Sequence, residues 1–169
     1  MSISIYQVSA PEIARLLGNV KVILQKAAAH ADAKKIDHNA LLQARLYPDM
    51  FTLLKQVQVV SDNAKGSCAR LAGATAPVFE DNEKTFPELF ARLDKTITFI
   101  NSLKAEQFEG GEDRNIEVKF PNATLKFTGL SYINTFVFPN IYFHMSMVYA
   151  ILRHNGVEIG KGDFLGAIQ

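Results

Sequence analysis

The stretch TFPELFARLDKTITFI, residues 85–100, decides the fold. Phe86, Phe90, Leu93, Ile97 and Ile100 recur in it at steps of four and three, the spacing of a seam between packed helices. Thr85-Phe86-Pro87-Glu88 at its start has the capping-box pattern, with Thr85 as the cap and Glu88 reaching back to it. Together these features predict an amphipathic helix with a defined beginning and one buried stripe. Such a stripe has to be covered by other elements.

Three more segments supply the cover. Upstream, past a loop with Pro77 and the acidic residues Glu80, Asp81 and Glu83, lies an apolar set of Met50, Phe51, Leu53, Leu54, Val57, Val60, Ala64, Cys68 and Leu71. Pro48 suits the first turn of this second helix, Asp49 its positive end, and Gly73 its termination after about Ala72. Earlier still, Ile13, Leu16, Leu17, Val20, Leu24, Ala27 and Ala28 mark a first helix that fades after His30 into the polar stretch from Ala31 to Asn39. Ser9-Ala10-Pro11-Glu12 reads as its capping box, or else the helix starts earlier and bends at Pro11.

Downstream the period changes. Ile116, Val118 and Phe120 alternate with polar residues, Pro121-Asn122-Ala123 interrupts, and Leu125 and Phe127 alternate again, so 115–128 reads as a β-hairpin. Two strands alone are marginally stable, so the hairpin has to pack on the helices or pair with another chain. The last helix runs from about Leu130 to Asn155, kinked or restarted at Pro139 and stopped by Gly156. The polar, Gly-rich tail from Val157 to Gln169 is too short for a domain. The reading is all-α, a single domain over residues 1–169, an antiparallel four-helix bundle with a small β-hairpin between its third and fourth long helices.

Composition narrows the function. The 169 residues carry 18 basic and 17 acidic groups, a net charge of +1. The basic groups of the first half are dispersed, so no nucleic-acid partner is expected. One Cys excludes a disulfide framework and a multi-thiolate metal site. No basic region leading into an apolar one opens the chain, and no uninterrupted apolar run approaches the roughly 18 residues of a membrane span. A cytoplasmic location without membrane association is the expectation.

Catalytic signatures are scarce. GxGxxG, HExxH, CxxC and GxSxG are missing from the sequence. Gly156-Val157-Glu158-Ile159-Gly160-Lys161 has too few residues between its glycines for a phosphate-binding loop and follows a helix instead of preceding one. Asp113-Arg114-Asn115-Ile116-Glu117 lacks the glycine a calcium loop needs at the sixth position, which is Val118. Cys68 falls on the interior stripe of its helix and reads as a small hydrophobe.

Of the four histidines, His144 is the informative one. Ile141, His144, Val148 and Ile151 share one side of the last helix, which puts an imidazole on an apolar stripe. A buried imidazole needs partners for both nitrogens, from the facing helix or from a metal. Gln58 and Asp62, four apart on the second helix, are the expected polar partners. His154 stands ten residues on, roughly 15 Å along a helix, and cannot share a metal with His144 at bonds of about 2.1 Å. His154 and His30 suit helix C-termini, and His38 a polar linker.

Phe138-Pro139-Asn140-Ile141-Tyr142-Phe143-His144, then Ala150-Ile151-Leu152-Arg153-His154-Asn155-Gly156-Val157, then Gly160-Lys161-Gly162-Asp163-Phe164-Leu165-Gly166, resemble the DUF1993 family of uncharacterised proteins. So do Arg45-Leu46-Tyr47-Pro48-Asp49-Met50-Phe51, Gln56-Val57-Gln58 and Ala69-Arg70-Leu71-Ala72-Gly73. That family is similar to the DinB/YfiT-like superfamily. The resemblance implies an up-down-down-up four-helix bundle, often dimeric, in which one histidine of the second helix and two histidines four apart on the last hold a metal. Here His144 matches one last-helix histidine, Val148 stands four later, and the second helix has no His. One imidazole with oxygens from Gln58 or Asp62 is a poor site for zinc or nickel, so the resemblance implies a degenerate one.

Two function classes follow. The first is a non-metal binding or interaction module, a homodimer through an apolar helix face, because Phe136, Phe138, Tyr142, Phe143 and Met147 crowd several sides of the last helix. The alternative is a metal- or histidine-dependent small-molecule enzyme of transferase or hydrolase type. It would use a cavity formed by His144, Gln58 and Asp62, with His144 as base or as ligand to nickel or zinc. No cofactor is expected in the first class, and no catalytic residue is assigned in either.

Overall fold

The computed structural model describes residues 3–167. The order of elements is α1 (Ala10–Lys34), α2 (His38–Leu42), α3 (Leu53–Ala72), α4 (Phe86–Ser102), a 3-10 turn (Ala105–Phe108), β1 (Ile116–Phe120), β2 (Ala123–Phe127), α5 (Gly129–Tyr132), a π turn (Ile133–Val137), α6 (Phe138–His154) and α7 (Lys161–Leu165). The chain is mostly helical, with one small two-stranded antiparallel sheet.

Helix α4 begins as its sequence predicts. Glu88 N donates to Thr85 Oγ1 at 3.4 Å and Thr85 N donates to Glu88 Oε2 at 2.9 Å, a reciprocal capping box. Its buried stripe holds Phe86, Leu89, Leu93 and Ile100, each worth about 2 kcal/mol of apolar burial, but also Arg92 and Thr96. The other starts differ from expectation. Ser9 precedes α1 without capping it, because its Oγ donates to Ile5 O at 2.6 Å. The helix also continues past His30 to Lys34, since Ala31 extends the buried stripe by another turn. Pro48 lies outside α3. That helix starts at Leu53, where the Thr52 hydroxyl accepts from Lys55 N at 3.2 Å. It ends after Ala72 at Gly73, with φ of 64°, as expected.

Helix α3 packs on both α4 and α6, and α1 packs on α4. At one end of the molecule the rings of Tyr6 and Phe108 meet edge-on, and at the other those of His38 and Phe86. Because α3 has neighbours on two sides, it is buried nearly all round and includes Gln56, Gln58, Ser61, Lys65 and Ser67 among its buried residues.

The hairpin pairs Ile116 with Phe127 and Phe120 with Ala123. It packs on the helices through an aromatic cluster in which Phe120 and Phe127 meet Phe136, and Phe127 also meets Tyr132. Its base is tight. Leu130 N donates to Glu112 O at 2.9 Å, and a Cβ on Gly129 would fall 1.7 Å from the Gly111 carbonyl oxygen.

From Gly129 to His154 the chain is continuously helical. The π turn absorbs Pro139, whose ring cannot donate to the backbone and crowds the carbonyl one turn back. Asn140 Nδ2 donates to Phe136 O at 2.6 Å inside the widened turn. This 26-residue rod, with a mean hydropathy of 1.3 in its most apolar window, is long and apolar enough to cross a membrane by length and composition. Ser131, Asn134, Thr135, Asn140, His144 and Ser146 interrupt it, so no long apolar run shows in the sequence. Its buried residues Ile141, His144, Met145, Val148, Ile151 and Leu152 face the protein interior.

The tail is not a bare turn. Its short helix α7 docks on α1, where Arg15 Nη1 donates to Leu165 O at 2.6 Å, Asn19 Nδ2 donates to Phe164 O at 3.1 Å, and Lys26 pairs with Asp163 at 2.5 Å. The last two residues of the tail, like the first two of the chain, lie outside the described residues.

Candidate functional site

His144 lies on the buried stripe of α6, as its spacing predicts, and retains 9% of its surface. Val148, one turn on, retains 0% and packs in the core. The imidazole Nδ1 lies 2.7 Å from Oε1 of Gln56, a residue of α3 that is 2% exposed. Burial pushes the His144 pKa below its ordinary 6.5, which keeps the ring neutral at pH 7. A neutral ring donates through Nδ1–H to the amide oxygen and keeps its lone pair on Nε2. The ring of Phe143 stands edge-on to the imidazole with 5.2 Å between centroids.

The partner expected for this histidine is therefore corrected. Gln58 and Asp62 do not join it. Gln58 Nε2 donates to Glu83 Oε2 at 2.9 Å, and Asp62 Oδ1 accepts from Arg92 Nη2 at 2.8 Å and forms an ion pair with Lys65 Nζ, also at 2.8 Å. At about 100° per residue, Gln56 and Gln58 point about 200° apart on α3, so one meets α6 and the other meets the connection that leads into α4. Burial alone cannot separate them, because both faces of α3 are covered. Gln56, the functional candidate that the sequence reading missed, had one signal: a second polar residue inside an apolar run.

The residues singled out on the α4 side form a separate cluster. Arg92, its side chain 1% exposed, turns all three of its guanidinium nitrogens onto protein. They donate to Ser61 Oγ at 3.2 Å, Glu80 O at 3.2 Å, Glu83 Oε1 at 2.9 Å and Asp62 Oδ1 at 2.8 Å, and Nη2 also forms an ion pair with Asp81 Oδ1 at 3.1 Å. Lys55 also pairs with Asp81 at 2.5 Å and holds its carboxyl below the usual range. Lys65 Nζ sits 4.1 Å over the ring of Phe79. A cleft of about 290 Å³ opens beside this cluster, lined in part by Phe79, Glu83, Arg92 and Lys95. Arg92 fastens the connection between α3 and α4.

Two other residues singled out in the sequence have protein surroundings of their own. Cys68 is buried, and desolvation pushes its thiol up to about 12, so it does not ionise near neutrality. His38 Nε2 meets Asp32 Oδ1 at 2.8 Å.

The model of the family described as a domain of unknown function, DUF1993, matches residues 5–165. The chain belongs to the DUF1993 family. Among solved structures, one described as a DinB family member protein from Shewanella denitrificans superposes on this DUF1993 chain with a TM-score of 0.88 and 38% identity, over 96% of this chain and 92% of that one. No curated protein matches the chain.

The DinB likeness raises a metal site, and the donor set tests it. In this DUF1993 chain the residues at hand are one imidazole, whose Nδ1 is already engaged, and one neutral amide. The position where a second histidine would stand on α6 is the alkyl side chain of Val148. Among the described residues, no three His, Cys, Asp or Glu side chains gather as a metal-binding group. Zinc and nickel ask for three or more nitrogen, sulfur or anionic oxygen ligands, so these residues do not fit such an ion.

Proposed function

We propose that this DUF1993 protein is a metal-free binding module of the DinB-like kind, working in the cytoplasm as a homodimer. The observation that carries the reading is the pairing of His144 with the neutral amide of Gln56, with Val148 sealed in the core beside it. An up-down-down-up four-helix bundle is the topology we assign. It is supported by Tyr132 lying against Ser67 and Arg70 near the end of α3 while His144 meets Gln56 near its start, which makes α3 and α6 run oppositely. Tyr6 against Phe108 and His38 against Phe86 likewise oppose α1 and α4. The dimer reading draws on Tyr142 and Phe143, exposed aromatics that α6 leaves at the surface.

The test is metal content. After incubation with nickel or zinc and dialysis, the native protein and His144→Ala are both expected to carry far less than one ion per chain. Stoichiometric metal lost on His144→Ala would overturn the reading. Sedimentation is expected to give a dimer at micromolar concentration, and monomer alone would remove that part.

A second reading, a histidine-dependent small-molecule enzyme of transferase or hydrolase type, draws on one observation. His144 is neutral and fixed through Nδ1, as a general base is.

A further inference from the structure

The outer face of α4 carries a cavity of its own. Lys95, Thr98 and Phe99 stand three and four residues apart, so their side chains share one face of the helix. Pro77 and Phe79, from the connection between α3 and α4, line with them a cavity of about 400 Å³. That size falls at the lower end of small-molecule sites, and Pro77, Phe79 and Phe99 make its walls largely apolar. The Phe79 wall is held by the protein itself. Lys65 Nζ lies 4.1 Å from the centre of its ring and Arg92 Cζ 5.7 Å, and Arg92 also ties down Glu80 and Glu83, which follow it in the chain. A ligand entering here does not have to order it.

The charged side chains on the cavity wall are Asp94 and Lys95. Asp94 is already matched, because Lys21 Nζ donates to its two oxygens at 2.6 and 2.7 Å. Other carboxylates on this side are taken as well, Asp81 by Lys55, and Asp62 and Glu83 by Arg92, and Lys95 has no ion-pair partner among the described residues. The cleft of about 290 Å³ shares Phe79 and Lys95 but is also lined by the carboxylates of Glu80, Glu83 and Glu88, which repel an anion. The larger cavity therefore joins one unmatched cation and the exposed hydroxyl of Thr98 to an apolar floor.

We propose that this larger cavity binds a small aromatic carboxylate. The carboxylate pairs with Lys95 and accepts from the Thr98 hydroxyl, and the ring packs among Pro77, Phe79 and Phe99. An amine of the same shape meets Lys95 as a like charge, and a neutral amide leaves that charge unmatched. Lys95 is exposed, so its charge adds a few-fold to the affinity and the apolar walls supply the rest. The site shares no residue with the His144–Gln56 pair, so it does not rest on the metal-free reading.

The test titrates the full isotope-labelled chain with sodium benzoate, benzamide or benzylamine at constant ionic strength and follows the backbone amides by NMR. Benzoate at up to about 20 mM is expected to shift the amides of Phe79, Lys95 and Phe99 saturably, with a Kd of about 1–10 mM. Lys95→Met is expected to weaken benzoate about threefold, to the level of benzamide, and to leave benzamide as it was. Thr98→Asp, an exposed change that adds a carboxylate to the cavity, is expected to weaken benzoate by at least as much and serves if Lys95→Met disturbs the fold. Absence of saturable shifts at these amides, benzamide or benzylamine binding as tightly as benzoate, or benzoate indifferent to both substitutions overturns the site.

Discussion

Replacing Arg92 by methionine removes the guanidinium on which α3, α4 and the connection between them converge. The magnitude follows from what each lost pair is worth. Asp62 and Asp81 are 43% and 37% exposed, so their pairs with Arg92 are largely screened and count for little. Glu83 is different. Its side chain is 10% exposed against 1% for Arg92, and without the arginine it keeps only the Gln58 amide. Breaking a buried pair by deleting one partner costs about 3–5 kcal/mol. At the low end of that range, because one amide donor stays with Glu83, Arg92→Met is expected to lose about 3 kcal/mol. For a chain of this length that lowers the Tm by about 6–12 °C. Urea denaturation followed by far-UV circular dichroism measures the loss. A cycle with Glu83→Leu isolates the pair, and the double variant is expected to recover about 2 kcal/mol relative to the sum of the single changes. A loss below about 1 kcal/mol for Arg92→Met, or additivity in the cycle, would show that the Arg92–Glu83 pair does not hold this connection.

Two further outcomes follow from the geometry. Gly129→Ala sets a methyl 1.7 Å from the Gly111 carbonyl oxygen, a backbone atom that cannot step aside, so the hairpin base has to open; a loss of more than about 3 kcal/mol is expected in the same denaturation assay. The folded pKa of His144 lies below its ordinary 6.5, so the unfolded chain binds the proton more readily; stability is full above pH 6.5, falls as pH drops toward the folded value, and levels off below it. His144→Gln is expected to flatten that part of a stability profile between pH 4 and pH 8, and an unchanged slope would count against the buried neutral ring.

Much of the fold can be read from residue order, for physical reasons. The seam from Phe86 to Ile100 with its capping box, the αL glycines Gly73 and Gly156, and the change of period at Ile116 are local signals, and local geometry obeys them. The misplaced helix starts arise where two signals compete. Pro48 suits a first turn, but Thr52 offers a side-chain acceptor to the helix that forms, and Ser9 spends its hydroxyl on Ile5. The docking of α7 on α1 is invisible because five residues carry no period. At the site, the place of His144 was legible from its stripe, and its partner was not. Which of Gln56, Gln58 and Asp62 faces α6 depends on how α3 is rotated between two neighbours, which is a tertiary matter. Arg92 was hidden for a related reason, as a charged residue on a stripe recognised by its apolar members.

In the function proposed above, Gln56 and Val148 leave the His144 site without a metal. Calorimetric titration with zinc, comparing the native protein with a Gln56→His, Val148→His variant, is the decisive measurement. No stoichiometric binding by the native chain is expected, and about one zinc per chain in the variant, where three imidazoles meet. One zinc per native chain would overturn the metal-free reading.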